Sequence, residues 1–242
     1  MELSYEEILR LLGLLRRDDF TDRVFKGSRR YLPDEHTPVP SEAASDLIAR
    51  SQTYTKDRRL WVVAIGCLTD IASALLLDPT LKDRIALVWL GGHSFLWEDT
   101  KEFNMRQDIP AARAALLSGV PFVQLPCRGV VSEFRTTGPE LAHWIGGRNP
   151  LCDHLIEGME QKVLRTTQLS AAWSRPIWDV TAVGWLLNDG NRFMKDRFEP
   201  AVLPDSSGQY EKTPQDFHIR RVWFIDRDPL MQDLFQKLAA AR

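Results

Sequence analysis

The chain has 242 residues, of which 44% are hydrophobic and 26% are charged, and its formal net charge is −2 at pH 7. These values predict one globular domain with a sizeable core, and the near-neutral charge argues against nucleic acid or an anionic membrane as a partner. No apolar run approaches the roughly 20 residues that a membrane-spanning helix needs. The three cysteines have no metal-ligand spacing, which fits a protein of the reducing cytoplasm, and Cys67 and Cys127 are predicted to be small buried residues because each ends an apolar strand.

Strand and helix patterns alternate along most of the chain. In the first half, the predicted elements are helix 4–16, strand 24–27, helix 41–51, strand 60–65, a helix starting at Thr69, strand 85–90 and helix 108–118. In the second half, they are strand 121–126, a helix from 137 or 138 to 144, helix 149–165, helix 178–187, a polar connection over 188–204, strand 218–225 and helix 229–240. This alternation predicts an α/β fold, in which a mostly parallel sheet lies between helices on both faces.

Polar residues follow the predicted strand 85–90 at a point where the backbone can approach a ligand closely. The strand ends in Gly91-Gly92, which permits a sharp turn. Glu102 and Asn104 come next, in a segment predicted as a loop, and would share one face if that loop were extended. A carboxylate beside an amide suits a vicinal diol, because the first group accepts hydrogen bonds and the second both donates and accepts them.

Three segments, in order along the chain, resemble the inosine/uridine-preferring nucleoside hydrolases. The first, Ala64 to Leu75, resembles the family's strand–Gly–x–x–Thr–Asn–x–Ala segment. The second resembles the family's ribose-binding segment and consists of Gly91-Gly92, Glu102-Phe103-Asn104 and the predicted helix cap Asp108. The third, Ile177 to Val183, resembles the family's His-Asp-x-x-Ala helix start. Together the matches cover roughly residues 20–190, and their order makes them more specific than any one alone.

The resemblance implies a Rossmann-like core and hydrolysis of the N-glycosidic bond of a ribonucleoside, giving ribose and a free base. In the family, a calcium ion holds the attacking water and the ribose diol. By this resemblance, Thr69 would give its backbone carbonyl and Asp179 its carboxylate to calcium. Glu102 and Asn104 would bind the ribose.

The chain also departs from the family. The family's first strand carries an Asp-x-Asp-x-x-x-Asp-Asp cluster that supplies most calcium ligands and the general base, and no such cluster follows an apolar strand here. We therefore expect a single domain over residues 1–242 that lacks the family's first strand, through either an internal start or a loss. Calcium binding is expected to be weak or absent, because two ligand residues are too few for a tight site. A sheet without that strand predicts a homo-oligomer, or a gap covered by helix 4–16.

Two further positions differ from the family. Trp178 stands where many members have the histidine that protonates the leaving base, and it would either stack on a base or pack in the core. His93 is the natural replacement for the family's contact to the 5′-hydroxyl, with Glu98 or Asp99 as alternatives. With the family's general base absent, His93 is also the remaining candidate for a catalytic group. Asp70 replaces the family's asparagine.

Each of these residues has a structural alternative. Glu102 and Asn104 could be a solvated loop carboxylate and a turn asparagine, whereas Thr69 and Asp179 could be helix caps. Three functions follow: a nucleoside hydrolase, a non-catalytic relative that binds ribose or nucleosides, and a structural subunit whose missing strand another chain supplies.

Overall fold

The computed structural model describes residues 1–166, 172–212 and 214–241. The α-helices of this part of the chain are α1 (Glu2–Leu14), α2 (Glu42–Ser51), α3 (Thr69–Leu77), α4 (Phe103–Gln107), α5 (Ile109–Leu117), α6 (Gly138–Trp144), α7 (Pro150–Thr166), α8 (Val180–Leu186) and α9 (Arg227–Ala240). The strands are β1 (Leu60–Ala64), β2 (Ile85–Leu90), β3 (Phe122–Leu125), β4 (Arg135–Thr136), β5 (Arg175–Pro176), β6 (Met194–Pro200) and β7 (His218–Ile225). Short 3-10 helices cover Asp18–Arg23, Pro79–Asp83, Val131–Glu133 and Asp189–Asn191.

Among the described residues, five strands form the central sheet, in the order β1-β2-β3-β7-β6. The pairs β1–β2, β2–β3 and β3–β7 are parallel, and only β6 runs antiparallel to its neighbour β7. A separate two-stranded sheet joins β4 to β5. The predicted α/β fold with a mostly parallel sheet is therefore confirmed.

Strand β2 shows why the sheet carries helices on both faces. All six of its residues are buried, and successive side chains point to opposite faces. Ile85, Leu87 and Trp89 join an apolar cluster with α2, α3 and α5, whereas Val88 and Leu90 join a second cluster with α6, α7 and α9. Burying each such side chain stabilises the fold by about 1.5–3 kcal/mol, so an apolar run of this kind suits only a central strand.

The loop before α2 is held by one side chain of α3. Oδ1 of Asp70 accepts hydrogen bonds from the Ser28 amide (2.8 Å), the Ser28 hydroxyl (2.7 Å) and the Ser41 hydroxyl (2.6 Å). A Cβ atom at Gly27 would lie 2.5 Å from Oδ2 of Asp70, so the chain passes this carboxylate too closely for a larger residue. Asp70 thus stabilises the fold.

Some predicted elements differ from the structure. Residues 24–27 form no strand, because the Lys26 carbonyl accepts from the Ala43 amide at the start of α2 instead of joining the sheet. The predicted polar connection contains β6, whose charged side chains pair with those of β7, as in Asp196 with Arg220. Helix α1, which was predicted at residues 4–16, contacts residues 18–23 and α7.

Strand β1 is an edge of the sheet, and Trp61 on it is 49% exposed. All three cysteines are free. Cys127 is buried as predicted, whereas the predicted burial of Cys67 is wrong because this residue is half-buried, and Cys152 is also buried. Within the described ranges, none of the helices combines the length and the apolar character that crossing a membrane requires.

Candidate functional site

A cleft of about 500 Å³ lies where β1, β2 and β3 end. We call it the strand-end cleft. Its lining residues are Ile65, Leu90, His93, Lys101, Glu102, Phe103, Asn104, Arg106, Cys127, Arg128, Trp178 and Asp179. Ile65 follows β1, His93 follows β2 and Cys127 follows β3. Neighbouring parallel strands bring the loops that follow them to one edge of a sheet, which is where α/β proteins bind ligands.

Glu102 is the N-cap of α4 and is only 6% exposed. Its Oε2 atom accepts hydrogen bonds from the backbone amides of Gly92 (3.1 Å), Asn104 (2.8 Å) and Met105 (3.0 Å). The alternative of a solvated loop carboxylate is therefore wrong. All three bonds reach the same oxygen, so they leave Oε1 as the atom that Glu102 can offer to a ligand.

Asn104 connects the ends of two strands. Its Nδ2 atom donates to the carbonyl of Leu90 (2.9 Å) and to that of Ile65 (3.3 Å). Neither bond uses the amide oxygen, which is thus the acceptor that Asn104 can offer to the cleft. The extended loop predicted for this segment is wrong, because Asn104 lies in the first turn of α4. Phe103, between Glu102 and Asn104, is 63% exposed and also reaches the cleft.

Asp179 occupies the N-cap position of α8, but its side chain makes no capping hydrogen bond. The alternative that this carboxylate only satisfies helix amides is therefore wrong. Desolvation by the surrounding protein, and then the charge of Glu102, raise the pKa of Asp179. Burial raises the pKa of the nearby Cys127 thiol far above its usual range, and the charge of Glu102 adds to this effect. Cys127 is thus a protonated thiol at neutral pH.

His93 is buried near the start of the loop that follows β2. Its Nδ1 atom accepts from the Arg128 amide (3.3 Å), which requires the ring proton on Nε2, and its carbonyl accepts from the Tyr210 hydroxyl (2.8 Å). Desolvation, and then the charge of Arg128, lower the pKa of His93. A neutral imidazole with its N–H on Nε2 is the result. Of the alternatives named with it, neither Glu98 nor Asp99 lines the cleft.

Trp178 and Thr69 are placed differently. Trp178 is half-buried, lines the cleft and packs against the second apolar cluster, so its stacking on a base stays a prediction. Thr69 does not line the cleft. Its hydroxyl donates to the carboxylate of Asp108, which also caps α5 by accepting from the Ala111 amide (3.0 Å). The N-cap of α3 is Leu68, so the predicted capping role of Thr69 is wrong.

Sequence reasoning missed three cations of the strand-end cleft, namely Lys101, Arg106 and Arg128. Two of them could have been found, because Lys101 directly precedes Glu102 and Arg106 follows it by one helical turn. Arg128 could not have been found in this way, since only the fold brings the loop after β3 beside this segment.

Calcium, which the resemblance implies, needs 6–8 oxygen ligands. The cleft offers two carboxylates, and Oε2 of Glu102 already accepts three amide hydrogens. Among the residues that the structure describes, no group of three or more His, Cys, Asp or Glu side chains could hold a metal ion. These residues do not fit a calcium site.

Solved structures of nucleoside hydrolases share this fold. An inosine-uridine preferring nucleoside hydrolase from Bacillus anthracis is 19% identical, with a TM-score of 0.63 over 84% of this chain and 67% of that one. A purine-preferring ribonucleoside hydrolase from Gardnerella vaginalis is 18% identical, with a TM-score of 0.66 over 96% of this chain and 75% of that one. An inosine-guanosine nucleoside hydrolase is 16% identical, with a TM-score of 0.66 over 84% of this chain and 68% of that one.

Comparison of sequences shows to which family the chain belongs. No curated protein matches the chain significantly. The family model of the inosine-uridine preferring nucleoside hydrolases, however, matches residues 12–222, which include every residue of the strand-end cleft. The chain therefore belongs to the inosine-uridine preferring nucleoside hydrolase family.

Proposed function

We propose that the strand-end cleft binds the ribose of a ribonucleoside and that the protein hydrolyses its N-glycosidic bond to ribose and a free base. One observation carries this proposal. Glu102 and Asn104 come from one segment and Asp179 from another that lies far along the sequence, and all three line the same cleft at the carboxyl edge of the sheet. Family membership supports the same reaction.

The cleft offers acceptors for the ribose hydroxyls. Oε1 of Glu102 and the amide oxygen of Asn104 are free of the backbone bonds that hold these side chains in place. Breaking an N-ribosyl bond develops positive charge on the sugar, by analogy with other glycosidic cleavages. The carboxylates of Glu102 and Asp179 stabilise that charge because they are already in position before the reaction.

Three other groups complete the proposed reaction. The Asp179 carboxylate makes no capping bond, so it is free to accept a proton from an attacking water. Trp178 presents an indole ring on which a planar base can stack. The Nε2–H of His93 can donate a hydrogen bond to the 5′-hydroxyl or to the departing base.

A non-catalytic ribonucleoside-binding relative is the second candidate. It is favoured by the donor set of the cleft, in which two carboxylates stand where the family's chemistry uses an aspartate cluster and calcium. In this case, Glu102 and Asn104 would hold the ribose without bond cleavage. Binding and turnover must therefore be measured separately.

The test measures ribose release from inosine and uridine, together with equilibrium binding of both nucleosides. We expect Glu102→Gln and Asp179→Asn to lower turnover by about 10²-fold or more, because each removes charge that stabilises the transition state. Glu6→Gln and Asp57→Asn change exposed carboxylates outside the cleft and serve as matched controls. Binding without turnover by the unmodified protein would select the second candidate. The absence of both would contradict both candidates.

We also propose that the domain assembles as a homo-oligomer. The edge position of β1 supports this, since Trp61 and Ile65 are each about half exposed there. Light scattering of the purified chain tests the proposal, and a monomer at all accessible concentrations would contradict it.

A further inference from the structure

The strand-end cleft carries more positive charge than a neutral sugar requires. Lys101, Arg106 and Arg128 line it together with two carboxylates, Glu102 and Asp179. Glu102 is already stabilised by three backbone amides, so it does not need these cations as partners. The cleft thus has an excess of cations beside its candidate ribose-binding groups.

These cations also differ from the arginines of the scaffold that are neutralised by carboxylates. Arg84, Arg113, Arg221 and Arg227 each form an ion pair with a carboxylate. None of the salt bridges among the described residues involves the three cations of the cleft. Their charge is therefore available to a ligand.

Contacts with neighbouring groups hold the three side chains at the cleft. The guanidinium of Arg106 lies 5.6 Å from the ring centroid of Phe103, and that of Arg128 lies 5.4 Å from that of Trp97. Both are cation–π contacts, which fix a guanidinium without neutralising it. The stem of Lys101 lies against Gly208, where an added Cβ would be 2.6 Å from Cγ of the lysine.

We infer that the ligand of this cleft is a ribose that carries a 5-phosphate, either as ribose 5-phosphate or as a nucleoside 5′-monophosphate. The inference rests on the proposed function, since it places the sugar on Glu102 and Asn104. A phosphate monoester carries nearly two negative charges at neutral pH, and planar guanidinium groups bind its oxygens in pairs. Arg106 and Arg128 supply the guanidinium groups, and Lys101 adds a third charge.

Calorimetric titration tests the inference with matched ligand pairs: ribose and ribose 5-phosphate, inosine and inosine 5′-monophosphate, uridine and uridine 5′-monophosphate. We expect the phosphorylated member to bind about tenfold more tightly or better, because charge-assisted hydrogen bonds are added. A preference limited to ribose 5-phosphate would identify the free sugar phosphate as the ligand. A preference in all pairs would identify the nucleotide.

The variant that combines Lys101→Gln, Arg106→Gln and Arg128→Gln should lose this preference and still bind the unphosphorylated member. Lys56→Gln removes an exposed cation outside the cleft and should change nothing. If thermal unfolding shows that the triple variant is misfolded, Arg106→Gln alone replaces it, with a smaller loss of preference. Arg106→Lys should restore part of that loss, because it restores the charge.

Two failures can be told apart. If inosine and its 5′-monophosphate bind equally well, and Glu102→Gln weakens both, the phosphate inference is wrong and the proposed ribose site stands. If no nucleoside binds, or if Glu102→Gln changes no affinity, the proposed function fails as well. Tight binding of inorganic phosphate that the triple variant retains would place the anion elsewhere and overturn the inference.

Discussion

The backbone amide of Gly92 donates a 3.1 Å hydrogen bond to the carboxylate of Glu102, and this bond joins the turn after β2 to the start of α4. Because the same oxygen also caps α4, the carboxylate that faces the cleft is part of the local scaffold. Binding and stability therefore depend on the same side chain.

We expect Glu102→Ala to lower the free energy of unfolding by about 1–3 kcal/mol, since three buried amides lose their acceptor. Glu102→Gln should cost less, because its amide oxygen can still accept hydrogen bonds. Urea denaturation measures both, with Glu6→Ala as the exposed control. Equal stability of Glu102→Ala and the unmodified protein would contradict the capping role.

Gly92→Ala should be strongly destabilising. Gly92 has φ +72°, and an added Cβ would lie 2.6 Å from the Tyr210 hydroxyl and 2.8 Å from Nε2 of Gln124. The left-handed conformation alone costs a non-glycine residue about 1–3 kcal/mol, and the crowding adds to this. Gly147→Ala is the matched control, because Gly147 has φ +67° with nothing within 4 Å of the added atom. Similar losses of unfolding free energy in both variants would show that crowding at Gly92 is unimportant.

Stability should fall as the pH drops below the ordinary histidine pKa of 6.5, partly because of His93. The folded-state pKa of His93 lies below that value, so the unfolded chain takes up the proton first. The stabilising contribution is complete above the unfolded pKa and is lost progressively below it. We expect His93→Gln to flatten this part of the pH profile of unfolding free energy, whereas His143→Gln, at an exposed site, should leave it unchanged. An unchanged slope in His93→Gln would refute the assignment.

Asp179→Asn should raise the melting temperature at neutral pH. The folded-state pKa of Asp179 is raised above its ordinary value of 3.8, so the contribution of this group is favourable below that value and is lost as the pH rises through the folded pKa. At neutral pH, the ionised Asp179 carboxylate opposes folding because its charge is desolvated. The uncharged asparagine side chain of Asp179→Asn removes this unfavourable contribution to the free energy of folding. Scanning calorimetry should show the gain at neutral pH and none well below pH 3.8. Asp57→Asn, which is exposed, should show neither.

Calcium should change the stability of this chain little. A ligand that binds only the folded state raises stability by RT ln(1 + [L]/Kd), so a weak site gives a small shift even in excess metal. Thermal unfolding with calcium or magnesium, supported by calorimetric titration, measures the effect. A site of about micromolar affinity or better, lost in Asp179→Asn, would mean that further oxygens complete a calcium sphere around Asp179.

The buried elements could be predicted from the sequence because their signals are local. The apolar runs of β2 and β3 needed no knowledge of the rest of the chain. The pairing of β6 with β7 depends instead on charges that compensate across strands, as between Glu199 and Arg221, and single-chain patterns do not contain that information. For the same reason, β6 was predicted as a polar connection.

The candidate site could be predicted in part. Glu102, Asn104, His93, Trp178 and Asp179 were named from short segments, and the fold brings them to one cleft. The reason given for pairing the first two was wrong, because a helical turn places them there instead of an extended loop. The roles proposed for these residues in binding and catalysis remain predictions.

The hydrogen bonds of Asp70 link the N-terminal segment to the helices beside the central sheet. One carboxylate fastens residue 28 and the start of α2 to α3. The first residue of α3, Thr69, is in turn bonded to Asp108 at the start of α5. Local opening of the N-terminal segment therefore requires loosening of the helices that support the carboxyl edge of the sheet. We expect native-state hydrogen exchange to show the N-terminal segment and these helices opening as one cooperative unit.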